Sequence, residues 1–487
     1  MRRRRFLKLA LGTAVAGYLP VRPGGLLAPR ALAGTVSPGE YLDGLFAGLQ
    51  LYWGDLHGHT GFSDGFGTPS DYYDVAELEN QLDFCALTDH AGWMNYFGNR
   101  IAMTDGSALD LWERAIALAG ARTVPGSFVA FAGLEWTNDA TGHRNVIFAN
   151  LDQLPDRPPS AFSHPTPADL WEALEPYPAM TIPHHVTRWG KLMDWSEYNP
   201  VTDRLVEIYS KWGNGASVYT PYEPHTRYIQ YPFLRQQAEQ SGVDALYELY
   251  GHRIGIIACT DTHQGRPGST AVDGRRGTVV PKGHYPGTGE AFLDALEQGY
   301  TYDHREPTGG GGGLAGVWAP ALTREALWES LYGRRTLGTT GIRPVVRFGV
   351  GDFANPSNGA PMGTELQVTG SPVLLASVVP EPGSAVTEIH LLKTNRRLLT
   401  ARNPAPGEAV FVRDDDLAVG ETACYRARIL VRQERTANLD GDTILRYDQE
   451  NNRFYQSDDA RLDEQVWTSP VWVTRVAPSG IGGPAGL

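Results

Sequence analysis

The chain has 487 residues, 41% hydrophobic and 10% aromatic, with 42 basic and 55 acidic side chains and three cysteines, enough for a large core with an appendage. Residues 1–33 hold seven basic and no acidic side chains, so the remainder carries 35 basic against 55 acidic residues, a formal charge of −20. That balance argues against a nucleic-acid polymer as partner, because such binding depends on neutralising phosphates, and three cysteines cannot build a disulfide framework.

The first 33 residues read as a signal. Arg3-Arg4-Arg5-Phe6-Leu7-Lys8 is a twin-arginine pattern, an apolar stretch follows at 9–19, and Ala31-Leu32-Ala33 offers a small-residue cleavage site. The stretch is shorter than the roughly 20 residues a membrane span needs. A folded protein handed to the twin-arginine export machinery, with a periplasmic or extracellular destination, is the expectation.

From 34 to 341 short apolar runs alternate with helical segments. Residues 51–53 lead into His57 and His59. A helix is expected over 69–80, with Ser70 a candidate cap, and a strand over 84–87. A helix over 109–119 is followed by a strand over 128–134 that ends at Glu135. Strands follow at 146–149 and 179–182, the latter ending at His184, with a helix over 168–174 between them. Further strands are expected at 205–209, containing Glu207, and at 254–258, ending at Asp261 and His263. Helical patterns cover 233–250, 289–298 and 322–332. The five glycines at 309–313 predict a loop. After about 342 the texture becomes short alternating strands, at 345–350, 374–379, 386–392, 409–412, 424–431 and 471–473, which predict a β-rich, sandwich-like domain over 342–480. A frayed tail covers 481–487. Cys85 and Cys259 fall in apolar runs and read as buried thiols.

One histidine at a strand end is usually structural. Here His57, His59, His90, Glu135, His184, Asp261 and His263 all follow apolar runs, where strand carboxyl ends gather polar groups. Two histidines one residue apart point to the same side of an extended segment. Imidazole and carboxylate together suit borderline-soft divalent metals, and a carboxylate can bridge two ions.

Asp55-Leu56-His57-Gly58-His59-Thr60, Ser63-Asp64-Gly65, Thr88-Asp89-His90 and Asp261-Thr262-His263 resemble the metal motifs of the polymerase and histidinol phosphatase (PHP) superfamily. Gly133-Leu134-Glu135, Gly142-His143-Arg144-Asn145, Ile182-Pro183-His184, Glu207-Ile208-Tyr209-Ser210, the run from Asp261 to Gly268 and Thr339-Thr340-Gly341 resemble its DUF3604-type branch. The resemblance covers residues 54 to about 341. It implies an α/β fold, a distorted (β/α)7 barrel, holding two or three Zn, Mn or Fe ions. One ion would take His57, His59, Glu135 and Asp261. A second would share Glu135 and add His184 with either His143 or Asn145, His143 being favoured. A third would take Asp64, His90 and His263.

The reaction such a centre suits is hydrolysis of a small phosphorylated substrate. Arg266 is the first choice for a phosphate clamp; Arg144, Arg188 and Lys211 are further candidates. Asp89 is expected to orient the site or act as an acid, His185 to bind metal or substrate, and Glu207 to hold an imidazole from behind. Trp136, Trp189, Trp195, Trp212, Tyr209 and Tyr219 fall near the motifs and suggest a pocket wall. The alternatives are hydrolysis of an amide, lactone or sulfate ester, and a metal-stabilised binding protein of the envelope.

Overall fold

The structure, a computed structural model, describes residues 37–96, 100–188, 192–216, 239–269, 278–279, 288–301, 312–433, 444–448, 453–457 and 463–478. The expected signal, most of the glycine run, Trp189, Tyr219, residues 233–238 and the tail lie outside them. The site is carried by β1 (Gln50–Asp55), β2 (Phe84–Leu87), β3 (Val129–Trp136), β4 (His143–Phe148), β5 (Ala179–His184), β6 (Leu205–Glu207), β7 (Gly255–Ile257), β8 (Leu314–Ala319) and β9 (Thr336–Thr339).

These strands pair in the order β9-β8-β1-β2-β3-β4-β5. The β1–β2 and β2–β3 pairs are parallel, while β8–β1, β3–β4, β4–β5 and β8–β9 are antiparallel. A parallel bridge between Thr181 and Asp203 leads from β5 toward β6, which pairs in parallel with β7. Just past β7 the Cys259 carbonyl accepts from the Gly313 N–H at 2.8 Å, ahead of β8. The strands thus return on themselves. The sheet is mixed, because β4 doubles back from β3 across a short turn where a regular βα repeat would insert a helix.

Alternation along the strands separates two cores. Phe84, Ala86, Val129, Phe131, Ile182, Leu205 and Ile257 form one buried cluster. Cys85, Leu87, Ala130 and Ala132 face the other way, into a cluster shared with the helices. Fully buried strands such as β2 and β3 therefore read as continuous apolar runs, as strands covered on both faces do. Each large side chain contributes roughly 1.5–3 kcal/mol by leaving water.

The helices begin where hydroxyl or carboxylate caps stand. Thr68, not Ser70, caps the helix Pro69–Asp74, in a reciprocal box with Asp71, and a wider turn, Val75–Glu79, continues it. Asp110 caps Leu111–Arg122, starting it two residues later than expected. Residues 239–241 are helical, and after a bend at Gly242 the helix Val243–Ala245 leads into the wide turn Leu246–Tyr250. Among the described residues no helix is long and apolar enough to cross a membrane.

The C-terminal region is β-rich. It includes β10 (Val345–Asp352), β11 (Pro372–Val379), β12 (Ser384–Lys393), β13 (Thr422–Gln433), β14 (Asp463–Thr468) and β15 (Val471–Arg475). Strand β14, polar enough at its start to escape notice in the sequence, pairs with both β9 and β13 and so joins the two regions in one sheet. Cys85, Cys259 and Cys424 are buried free thiols.

Candidate metal centre

The polar ends of β1, β2, β3, β5, β6 and β7 converge. His57 and His59 follow β1, with Gly58 between them because a Cβ there would stand 2.3 Å from the Tyr72 hydroxyl. His90 follows β2, Glu135 and His184 lie in the last turns of β3 and β5, His143 opens β4, and Asp261 and His263 follow β7.

Glu135 is the hub. Its Oε2 lies 3.4 Å from His57 Nε2, 3.2 Å from His59 Nε2 and 3.3 Å from His90 Nδ1. Its Oε1 lies 2.8 Å from His143 Nδ1 and 3.5 Å from His184 Nε2. Asp261 repeats the pattern. Oδ1 stands 3.3 Å from His57 Nε2, 3.2 Å from His59 Nε2 and 3.6 Å from His263 Nδ1, and Oδ2 stands 3.0 Å from His185 Nε2. Asp64 Oδ1 is 3.3 Å from His90 Nε2 and 3.5 Å from His263 Nε2.

Apart from the contacts to His143 and His185, at 2.8 and 3.0 Å, those separations are close to the edges of a coordination polyhedron. Ligand bonds of about 2.0–2.2 Å in a tetrahedron hold neighbouring donor atoms about 3.3–3.6 Å apart. The fit also shows in what lacks a partner. His59 Nε2, His184 Nε2 and both Asp261 carboxylate oxygens are buried without a hydrogen-bond partner among the described residues, a costly state unless a cation accepts their lone pairs. Four overlapping sets, His59/Asp64/His90/His263, His57/His59/Asp261, His57/Glu135/His184 and His143/His184/His185, each bring ligand atoms within 4.8 Å of one another. These are candidate multinuclear sites for divalent metal ions.

Protonation supports the same use. Burial opposes charge on Glu135 and Asp261, but the imidazoles around them outweigh it and hold both carboxyls well below the usual range. Burial, then the nearby His57, pushes His184 down to about 3, and burial pushes His263 down to about 4 against the pull of Asp64. The carboxylates are thus ionised at neutral pH and His184 and His263 neutral, while the same carboxylates, against burial, pull His59 up and His57 and His90 well up, protons that a cation binding there would displace.

The backbone is bent to achieve this. His185 and Asp261 are left-handed, with φ of 54° and 51°. In a plain strand His184 and His185 would face opposite sides; the left-handed turn puts both against the cluster, at a cost of about 1–3 kcal/mol per residue.

Around the ligands stand the residues that hold them. Glu207 Oε2 faces His57 Nδ1 at 2.8 Å. Asp89 accepts from Thr60 N–H, Thr60 Oγ1 and Ser63 Oγ at 2.8, 2.7 and 2.5 Å, so its carboxylate is turned into the loop that carries Asp64. Asp55, which the motif contains but to which sequence reasoning gave no role, accepts from the N–H groups of His57, Thr260 and Gly268 and from Thr260 Oγ1. It ties the β1 end to the segment carrying Asp261. Thr137 and Asp139 were also missed. They face His90 Nδ1 at 2.6 Å and His143 Nε2 at 2.8 Å, and the only prior signal was the i, i+4 spacing of Asp139 and His143.

A small cleft opens beside the cluster, lined by His185, Arg188, Glu207, Tyr209, Ser210 and Trp212 among others. The Arg188 guanidinium lies 3.7 Å from the Trp212 ring centroid. Arg266 does not line it; it pairs with Glu79 at 2.6 Å. Arg144 is also elsewhere, buried between Trp136 and Trp171 at 5.7 and 5.6 Å and 3.8 Å from Asp203. Lys211 is buried, and its Nζ donates to Gln264 Oε1 at 3.4 Å, next to His263. His143 belongs to one of the four ligand sets, and Asn145 is buried beside it with its side-chain oxygen lacking a hydrogen-bond partner among the described residues. Trp136 and Trp195 are core residues, and among the described residues Tyr209 and Trp212 are the aromatics that line the cleft.

A family model described as "Protein of unknown function (DUF3604)" matches residues 99–188 and 209–393. Among curated proteins, one described as uncharacterized from Chlamydia pneumoniae is 20% identical over 434 residues, covering 87% of this chain and 57% of that protein. Another from Chlamydia trachomatis is 22% identical over 431 residues with the same coverage. The chain therefore spans little more than half the length of these relatives. Among solved structures, a two-domain protein from Bacteroides vulgatus containing a predicted PHP-like metal-dependent phosphoesterase is 14% identical, with a TM-score of 0.34 over 85% of this chain and 96% of that one. PsfC from Pseudomonas syringae is 17% identical, with a TM-score of 0.26 over 45% and 78%.

Proposed function

This chain belongs to the DUF3604 family, and from that premise we propose that it is a metal-dependent hydrolase of PHP type that cleaves phosphoric esters. One observation carries the reading: the two oxygens of Glu135 face different imidazoles, and those of Asp261 do the same, as shared ligands of neighbouring ions would. His57, His59, Glu135 and Asp261 would hold one ion, Glu135, His143 and His184 a second, and Asp64, His90 and His263 a third. Divalent ions there would supply Lewis acidity, polarising an ester oxygen and activating water near neutral pH.

The protein's own groups do the rest. Glu207 fixes the His57 tautomer, and Asp89 fixes the loop bearing Asp64. Arg188, laid over Trp212 in the cleft, is the guanidinium that holds a phosphoryl oxygen, the role expected of Arg266; Lys211 adds a second cation beside His263. His185 lines the cleft, its Nδ1 buried without a hydrogen-bond partner among the described residues, and is the imidazole that contacts the substrate. The return of the strands on themselves supports a distorted (β/α)7 barrel over 34–341 beside a β-rich domain over 342–480. The basic and then apolar leader in 1–33 extends the proposal to twin-arginine export.

The test is hydrolysis of aryl phosphate mono- and diesters by the metal-loaded protein, beside a His59→Ala/Asp261→Ala variant purified identically. We expect turnover that drops at least about a thousandfold in the variant, the scale of several kcal/mol of metal-ion stabilisation. A metal-loaded wild type that turns over neither ester would overturn the phosphoester reading and direct the search to amides, lactones and sulfate esters.

A further inference from the structure

Three imidazoles of the cluster are held from behind by three different residues. His57 Nδ1 faces Glu207 Oε2 at 2.8 Å, His90 Nδ1 faces Thr137 Oγ1 at 2.6 Å, and His143 Nε2 faces Asp139 Oδ1 at 2.8 Å. An ionised carboxylate only accepts hydrogen bonds, and both His143 nitrogens face one at 2.8 Å; a cation held beside Glu135 would take the Nδ1 side, so Asp139 would keep the proton on Nε2. That leaves the Nδ1 lone pair aimed inward, 2.8 Å from Glu135 Oε1.

The two carboxylate holders differ in one respect. The Glu207 side chain is 2% exposed, whereas Asp139, on the turn between β3 and β4, is 69% exposed although the His143 it grips is 1% exposed. Water competes for an exposed carboxylate and screens its charge, so its hold on an imidazole is the weaker.

We infer that Asp139 is the positioning residue for His143, and that the place formed by Glu135, His143 and His184 is the exchangeable one of the cluster. It takes and releases a divalent cation while the place formed by His57, His59, Glu135 and Asp261 keeps its own. This rests on the metal reading above. Its physical content is that the inner place is held by a sealed carboxylate, and the outer one by a carboxylate that solvent reaches. Removing Asp139 lets the imidazole divide its proton between both nitrogens and loosens the ring.

Wild type, Asp139→Asn and Asp139→Ala would be loaded with Zn or Mn and equilibrated against graded chelator. Metal per chain is counted by mass spectrometry, and melting is followed for the metal-free chains. We expect the wild type to lose one equivalent before the rest. Asp139→Ala should weaken that first step alone by about tenfold, the low end of the range for such partners. Asp139→Asn, whose Oδ1 still accepts from Nε2–H, should weaken it less, and metal-free melting should not move. An Ala variant with an unshifted first step overturns the role of Asp139, as does one whose metal-free form melts lower by as much as its loaded form, which would make Asp139 only a turn-closing residue. Release of all ions in one step overturns the exchangeable place. A wild type that binds no metal overturns the metal reading itself.

Discussion

Asp64 reaches His90 and His263 only because the residue after it has no side chain. A Cβ on Gly65 would stand 2.4 Å from both the carbonyl carbon and the oxygen of His59, and backbone atoms do not yield as a flexible side chain does. Gly65→Ala should therefore displace the loop, cost about 1–3 kcal/mol as overpacking does, and lose the ion expected at Asp64, His90 and His263. Denaturation midpoints with metal counts check it, and an unchanged metal count would sink the assignment. At this scale most of the candidate ligands were legible because they follow apolar runs, while Asp64 and His143 follow none and were expected only from the family resemblance. The ligands' partners were less legible. The Arg266 clamp was expected because a turn after His263 looked close in sequence, while the folded chain pairs that guanidinium with Glu79 and sets Arg188 at the cleft. Charge complementarity across 187 residues leaves no local mark.

Elements were recovered with boundaries displaced by capping chemistry. Thr68 and Asp110 start their helices because their side chains accept from backbone N–H groups that would otherwise go unpaired. Strand β10 ends on a comparable device. Asp352 accepts from the N–H groups of Ala354, Thr369 and Gly370, closing the connection to β11. Burial raises its carboxyl, but those donors outweigh burial and hold it below the usual range. A depressed folded pKa contributes stability that is present above the unfolded value, roughly pH 3.9, and is lost as pH falls through the folded one. Asp352→Ala should cost about 1–3 kcal/mol at pH 7 and show a flatter acid dependence of stability below pH 4. An acid profile superimposable on that of the wild type would refute the role.

At the scale of the whole molecule, β14 decides how the site is supported. Trp467, 1% exposed, stacks 6.2 Å from Tyr209 and belongs to one buried cluster with Val206, Ile208 and Ala258, the strands under the cleft. Trp467→Ala should cost about 3–5 kcal/mol and lower the temperature at which metal is released, read by calorimetry and metal retention together; a loss below about 1 kcal/mol would mean β14 is a passive neighbour. Nothing in its run of Asp463-Glu464-Gln465 announces a strand, because its partners β9 and β13 lie far away in the chain and pairing, not propensity, makes it one. By itself the sequence determined what repeats locally: the buried strands, through their apolar runs, and most of the candidate ligands, through their place at the ends of those runs. Tertiary structure alone decided which lone pairs meet at Glu135 and Asp261, which carboxylate stands behind each imidazole, and which arginine lines the cleft. Those are distances between residues remote in sequence, fixed only when the strands return on themselves and bring their polar ends together.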